Sequence, residues 1–133
     1  MTQHSALEQL LNRTHLPHRL FTAPDGTTMA YITHDMTFSD GDAIVVYAKC
    51  IDPDEIEFFD DAETLAQIHA MYSASYPEHF ITIVRNECRR TGIEYDEGVL
   101  RIRGQGKTAG SAFTKLIHTI HGIDEQLREL SPC

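Results

Sequence analysis

The sequence predicts an α+β fold: a small antiparallel sheet built from hairpins, packed by about three helices, with an extra helix at the N-terminus. Three observations carry this. β-Rich runs come in adjacent pairs joined by turn residues, amphipathic stretches of helical period flank the pairs, and strands do not alternate singly with helices as in a doubly wound sheet. The length of 133 residues suits one domain, with 1–20 as a helical extension and 21–133 as the core.

Residues 6–13 place Leu7, Leu10 and Leu11 on one helical face, with Ser5 as N-cap and Pro17 barring continuation beyond Thr14. Residues 22–27, Thr-Ala-Pro-Asp-Gly-Thr, form a turn. The β-branched and aromatic content of 28–38 predicts a strand. After the Ser39-Asp40-Gly41-Asp42 turn, the apolar run 43–51 predicts a central strand, paired across Asp52-Pro53-Asp54 with the alternating segment 55–59. Asp60 or Asp61 caps a helix carrying Leu65, Ile68 and Tyr72, which Ser73 to Pro77 ends. A third helix runs from about Glu78 to Arg90, with Phe80, Ile81, Val84 and Cys88 inward and Gly92 as its stop. A hairpin of 93–95 and 99–103 follows, then a last helix from near Ser111 with apolar residues from Phe113 to Leu130 at helical period.

This layout resembles a family known only as a domain of unknown function, whose members occur in phages, prophages and mobile elements. The likeness lies in Asp42-x-Ile44-Val45-Val46-Tyr47, a turn, Ile56-x-Phe58-x-Asp60-Asp61 and Thr64-Leu65, and extends over roughly residues 38–130. Members tend to carry Gly after the Asp-Asp pair, where this chain has Ala62. A left-handed backbone there would strain an alanine. The resemblance implies a fold and a mobile-element origin, and transfers no catalytic residue.

Charge is the most informative feature. The formal net charge is −9, and residues 1–84 hold three basic against 13 acidic side chains while 85–133 hold eight against seven. This opposes general nucleic-acid binding, which needs cations to neutralise phosphates. Between 52 and 63 stand seven carboxylates, Asp52, Asp54, Glu55, Glu57, Asp60, Asp61 and Glu63, and no cation. Glu55 and Glu57 share one strand face, so the hairpin is expected to present a negative docking surface to a protein partner with a basic surface. The expected function is that of a non-enzymatic accessory protein, one form being an inhibitor or nucleic-acid mimic aimed at a host nucleic-acid-handling enzyme. The plainer alternative is a solvated strand face beside helix-capping carboxylates.

The enzymatic alternative is a small hydrolase in which Asp60, Asp61 and Glu63 hold a divalent metal. Otherwise no catalytic residue, metal ligand or cofactor site is assigned. His118 and His121 share a helical side but lack further zinc ligands, and Gly104-Gln105-Gly106-Lys107-Thr108 lacks the first glycine of a phosphate-binding loop, Arg101 standing there. Arg85, Arg89, Arg90, Arg101, Arg103 and Lys107 read as a positive set that pairs with the acidic half, with no aromatic residues interleaved. Cys50 and Cys88 read as core and Cys133 as a terminal thiol, without a disulfide framework. No apolar segment spans a bilayer and the N-terminus has no signal core, so the expected address is cytoplasmic. The leucine stripe of the first helix and the last helix call for burial, which a homodimer would supply.

Overall fold

A computed structural model of the chain describes residues 3–72 and 80–130. The fold is α+β. Strands β1 (His18–Thr22), β2 (Thr28–Ile32), β3 (Tyr47–Asp52), β4 (Glu55–Phe59), β5 (Glu94–Asp96) and β6 (Val99–Gln105) form one antiparallel sheet in the order β1-β2-β3-β4-β6-β5. Four helices, α1 (Gln3–Thr14), α2 (Glu63–Tyr72), α3 (Phe80–Thr91) and α4 (Ala109–Leu130), complete it. The sheet holds one strand more than the five predicted segments, the addition being β1. The end of α2 at 73–77, the start of α3 at Glu78 and the thiol of Cys133 lie outside the described residues.

One face of the sheet is apolar because alternate residues of each strand point to it. Ala30 and Ile32, Ala48, Ile56 and Phe58, and Leu100 are all fully buried there beneath α1 and α4, while α3 packs on α4. Leu7, Leu10 and Leu11 are buried within this same core, so the leucine stripe is satisfied inside one chain and gives no reason for a second copy. Among the described residues no helix is long and apolar enough to cross a membrane.

Three segments differ from the sequence reading. The strand predicted over 28–38 ends at Ile32, and the rest is irregular chain with one isolated bridge, Thr37↔Ala43. β1 lies partly in the expected helical extension, and it pairs residue for residue with β2 from His18↔Ile32 to Thr22↔Thr28. The apolar run 43–51 is strand only from Tyr47 onward. Ile44 and Val46 are buried in irregular chain instead, held by Ile44 N–H on the Met36 carbonyl (3.2 Å) and Ile32 N–H on the Val46 carbonyl (3.0 Å). Burial without a regular partner strand produces the same continuous apolar signal.

Polar ties join the layers. The Tyr72 hydroxyl donates to Asp124 Oδ1 (2.5 Å) and the Ser39 amide to Asp124 Oδ2 (2.7 Å), linking α2, α4 and the loop before β3. Glu87 accepts from Arg90 within α3 and from Gln126 Nε2 of α4 (2.7 Å). Cys88 is buried, and its thiol is pushed up to about 12 chiefly by that burial, as suits a core side chain.

Gly104 explains the glycine-rich segment that superficially suggests a phosphate loop. A Cβ on it would lie 2.9 Å from the Ala109 Cα and 3.1 Å from the Ala112 Cβ, so glycine lets the start of α4 approach β6. Gly104→Ala should therefore lower stability by about 1–3 kcal/mol through forced overpacking, measured by urea unfolding.

The α3–α4 clamp gives a pH signature. Its hydrogen bond from Arg90 holds the Glu87 carboxyl below the ordinary value of 4.5, so the clamp stabilises the fold above that pH and is lost as pH falls through the lower folded value. The stability gap between the parent chain and Glu87→Gln should be open at neutral pH and narrow below about pH 4.5, followed by thermal unfolding at a series of pH values.

Candidate functional site

The seven carboxylates expected to act together separate into three environments. At the tip of the β3–β4 hairpin, Asp52 and Asp54 are exposed, and Asp52 Oδ1 accepts the Asp54 amide (3.0 Å) in a local turn. Along β4, Glu55 and Glu57 do share a face, but that face is not an unneutralised anionic surface. β4 lies between β3 and β6, which sets Lys49 and Arg103 directly opposite Glu57. Glu57 is only 2% exposed, with Lys49 Nζ at 3.3 Å and Arg103 Nε at 3.4 Å. Glu55 takes Arg103 Nη1 at 3.5 Å and Gln105 Nε2 at 3.0 Å. Of the positive set, Arg103 pairs with the acidic hairpin, whereas Arg101 pairs with Glu94 (2.5 Å) and Asp96 (2.8 Å) of β5 and Arg90 with Glu87 of its own helix.

Asp60 is fully buried. Its Oδ1 accepts the amides of Ala62 (3.1 Å) and Leu100 (2.9 Å), and its Oδ2 that of Thr64 (3.0 Å). It stands three residues before α2, holds the Thr64 amide of that helix's first turn, and ties it to β6. Burial pushes its carboxyl above the ordinary range, while the hydrogen bonds from Thr64, Leu100 and Ala62 pull the other way. With both oxygens occupied by main-chain donors, Asp60 does not converge with Asp61 and Glu63 as a metal triad. Among the described residues, no three His, Cys, Asp or Glu side chains gather as a metal ion would need. His118 and His121 do not join either, since His121 Nε2 contacts Glu125 Oε1 at 3.0 Å.

Asp61 and Glu63 are the exposed remainder, and they have no ion-pair partner among the described residues. The corner that projects them is strained: Asp61 and Ala62 have φ of +52° and +65°, in the left-handed region. Ala62 thus adopts the left-handed conformation that favours glycine.

Beside this corner, on the sheet face away from the helices, lies an aromatic row that the sequence reading missed. The cross-strand register sets Arg19, Tyr31, Tyr47, Phe59 and Arg101 side by side across β1, β2, β3, β4 and β6, with Phe21 and Met29 in the adjacent row. Ring centroids lie 6.0 Å apart for Tyr31–Tyr47 and Phe21–Tyr47 and 5.7 Å for Tyr47–Phe59. A cavity of about 350 Å³ opens among Phe21, Ala23, Met29, Tyr47 and Phe59, with Asp25 and Asp61 at its rim. The Tyr47 hydroxyl is raised by burial first and then by the Glu63 and Asp61 carboxylates, the mark of a negative potential at the ring. The Thr27 amide holds the Asp25 carboxyl below its ordinary value, keeping it charged. The only sequence signal for this site was strand alternation around Tyr31, Tyr47 and Phe59, which becomes a row only once the strand order is known.

Residues 35–123 match the family described as Domain of unknown function DUF1828. The chain belongs to this family. No curated protein and no solved structure matches it. The DUF1828 segment contains Tyr47, Phe59, the Asp60–Ala62 corner and all seven carboxylates between 52 and 63. Phe21, Ala23, Asp25 and Met29 lie before it, so the pocket is completed by strands outside the matched DUF1828 residues.

Two variants test this geometry. Ala62→Gly should raise stability by about 0.5–1 kcal/mol by relieving the left-handed alanine, seen as a later urea midpoint with unchanged slope. Glu57→Lys should lose at least about 3 kcal/mol, because it buries a cation between Lys49 and Arg103; a thermal midpoint near that of the parent chain would contradict the buried pairing.

Proposed function

We propose that this DUF1828 protein is a non-enzymatic accessory protein, of the phage or mobile-element kind its sequence resembles, that works by protein–protein contact. The contact surface is the β1–β4 end of the open sheet face, where Asp61, Glu63 and Asp25 stand beside the aromatic row. The partner carries a basic surface, and a host enzyme that grips nucleic acid in a cationic cleft is one class with that charge. The observation that carries the reading is the sorting of the carboxylates. Glu55, Glu57 and Asp60 are consumed by Arg103, Lys49 and main-chain amides, whereas Asp61 and Glu63 are exposed and unmatched among the described residues.

The signs along β3, β4 and β6 alternate, so the hairpin does not reproduce a run of phosphates, and mimicry of nucleic acid by Glu55 and Glu57 is not part of the proposal. Exposed charges steer encounter and are screened by salt over about 8–10 Å at ordinary ionic strength. Capture from native host lysate should accordingly yield a partner at low salt that high salt releases. The pair Asp61→Asn and Glu63→Gln, which keeps the fold, should reduce that capture about tenfold. Glu55→Gln should leave it unchanged. Equal capture by the parent chain and the neutralised pair would overturn the reading.

A further inference from the structure

Three features stand apart from the hydrophobic core: the pocket at the aromatic row, the cleft where Arg85 stacks over Tyr95 (5.3 Å), and the groove between α1 and α4 near His118. The first combines a cavity, aromatic lining and carboxylate charge. We propose that the pocket among Phe21, Tyr47 and Phe59, rimmed by Asp25 and Asp61, receives the guanidinium of an arginine side chain carried by the partner.

The chemistry follows from the lining. Phe21, Tyr47 and Phe59 present π systems whose negative faces attract cations, and the T-shaped Phe21–Tyr47 pair leaves rings at different inclinations around one space. Asp25 and Asp61 come from separate loops, so a planar fork of donors can meet either rim carboxylate while its plane lies on a ring. Ala23 and Met29 add apolar lining for the methylene stem. The chain already uses the same contact once: Lys49 Nζ sits 5.1 Å from the Phe59 centroid, its charge answered by Glu57 at 3.3 Å. Arg19, the other nearby cation, stands opposite Tyr31, beyond the pocket lining. An anionic ligand would meet two carboxylates, with the Tyr47 hydroxyl as the one donor among the lining side chains.

This inference rests on the protein-contact reading above and names what the contact takes. The test uses the full chain, ¹⁵N-labelled, titrated with the blocked tripeptide Gly-Arg-Gly and with its citrulline and lysine counterparts. The arginine peptide should shift the amide signals of Phe21, Asp25, Tyr47 and Asp61 and saturate at roughly millimolar concentration, as a single cation–aromatic contact allows. The citrulline peptide should bind at least about tenfold more weakly and the lysine peptide severalfold more weakly. Tyr47→Leu should weaken the arginine peptide roughly tenfold. Asp25→Asn with Asp61→Asn, both exposed and both compatible with their local backbone, should do the same if Tyr47→Leu fails to fold. Shifts from citrulline equal to those from arginine, tighter binding of lysine, or no localised shift would overturn the proposal. If the peptide fails while neutralising Asp61 and Glu63 still abolishes lysate capture, the arginine pocket falls and the acidic contact stands. If capture is also indifferent to those charges, both fall.

Discussion

The buried carboxylate of Asp60 is the interaction on which the rest of the site depends. It follows β4 and holds the Thr64 amide of α2 and the Leu100 amide of β6, so one side chain joins three elements at a single corner. A buried carboxylate survives because each oxygen is satisfied, at a desolvation cost visible in its raised pKa. The backbone leaves this corner through two left-handed residues, and that turn is what sends Asp61 outward while Asp60 points in. Two neighbouring aspartates thus take opposite fates from one local geometry.

The two faces of the sheet divide the remaining work. The apolar face under α1 and α4 supplies burial, and Gly104 lets α4 close onto it. The other face is lined by charged pairs toward β6 and β5 and by rings toward β1 and β2. The ladder of Lys49, Glu57, Arg103 and Glu55 nearly cancels its own field. Beyond the exposed Asp52 and Asp54 of the β3–β4 tip, Asp25, Asp61 and Glu63 keep their negative charge beside rings that favour cations.

Most of the fold was legible because it rests on local signals. Leu7-Leu10-Leu11, the Asp52-Pro53-Asp54 turn, Asp60 ahead of α2, Gly92 with φ +79° and the Glu97-Gly98 turn each specify their own element. β1 was missed because five residues between Pro17 and Pro24 carry little periodicity, and only pairing with β2 makes them a strand. The site was less legible, for a related reason. Counting carboxylates from 52 to 63 located the charge, but strand order decides which charges are cancelled. β6 pairs with β4 from 40 or more residues away, and nothing near Glu57 in the sequence announces Arg103 as its neighbour. The aromatic row is likewise a product of register, drawn from four strands.

The central claim is that the fold separates consumed from available carboxylates. The direct measurement is carbodiimide-driven coupling of a small amine to the native protein, with each modified carboxyl located by mass spectrometry over time. Asp25, Asp61 and Glu63 should react early, and Glu57, Asp60 and Asp124 only once the chain unfolds, since these three are at most 2% exposed. Reaction of Glu57 or Asp60 at the rate of Asp61 in folded protein would contradict the account.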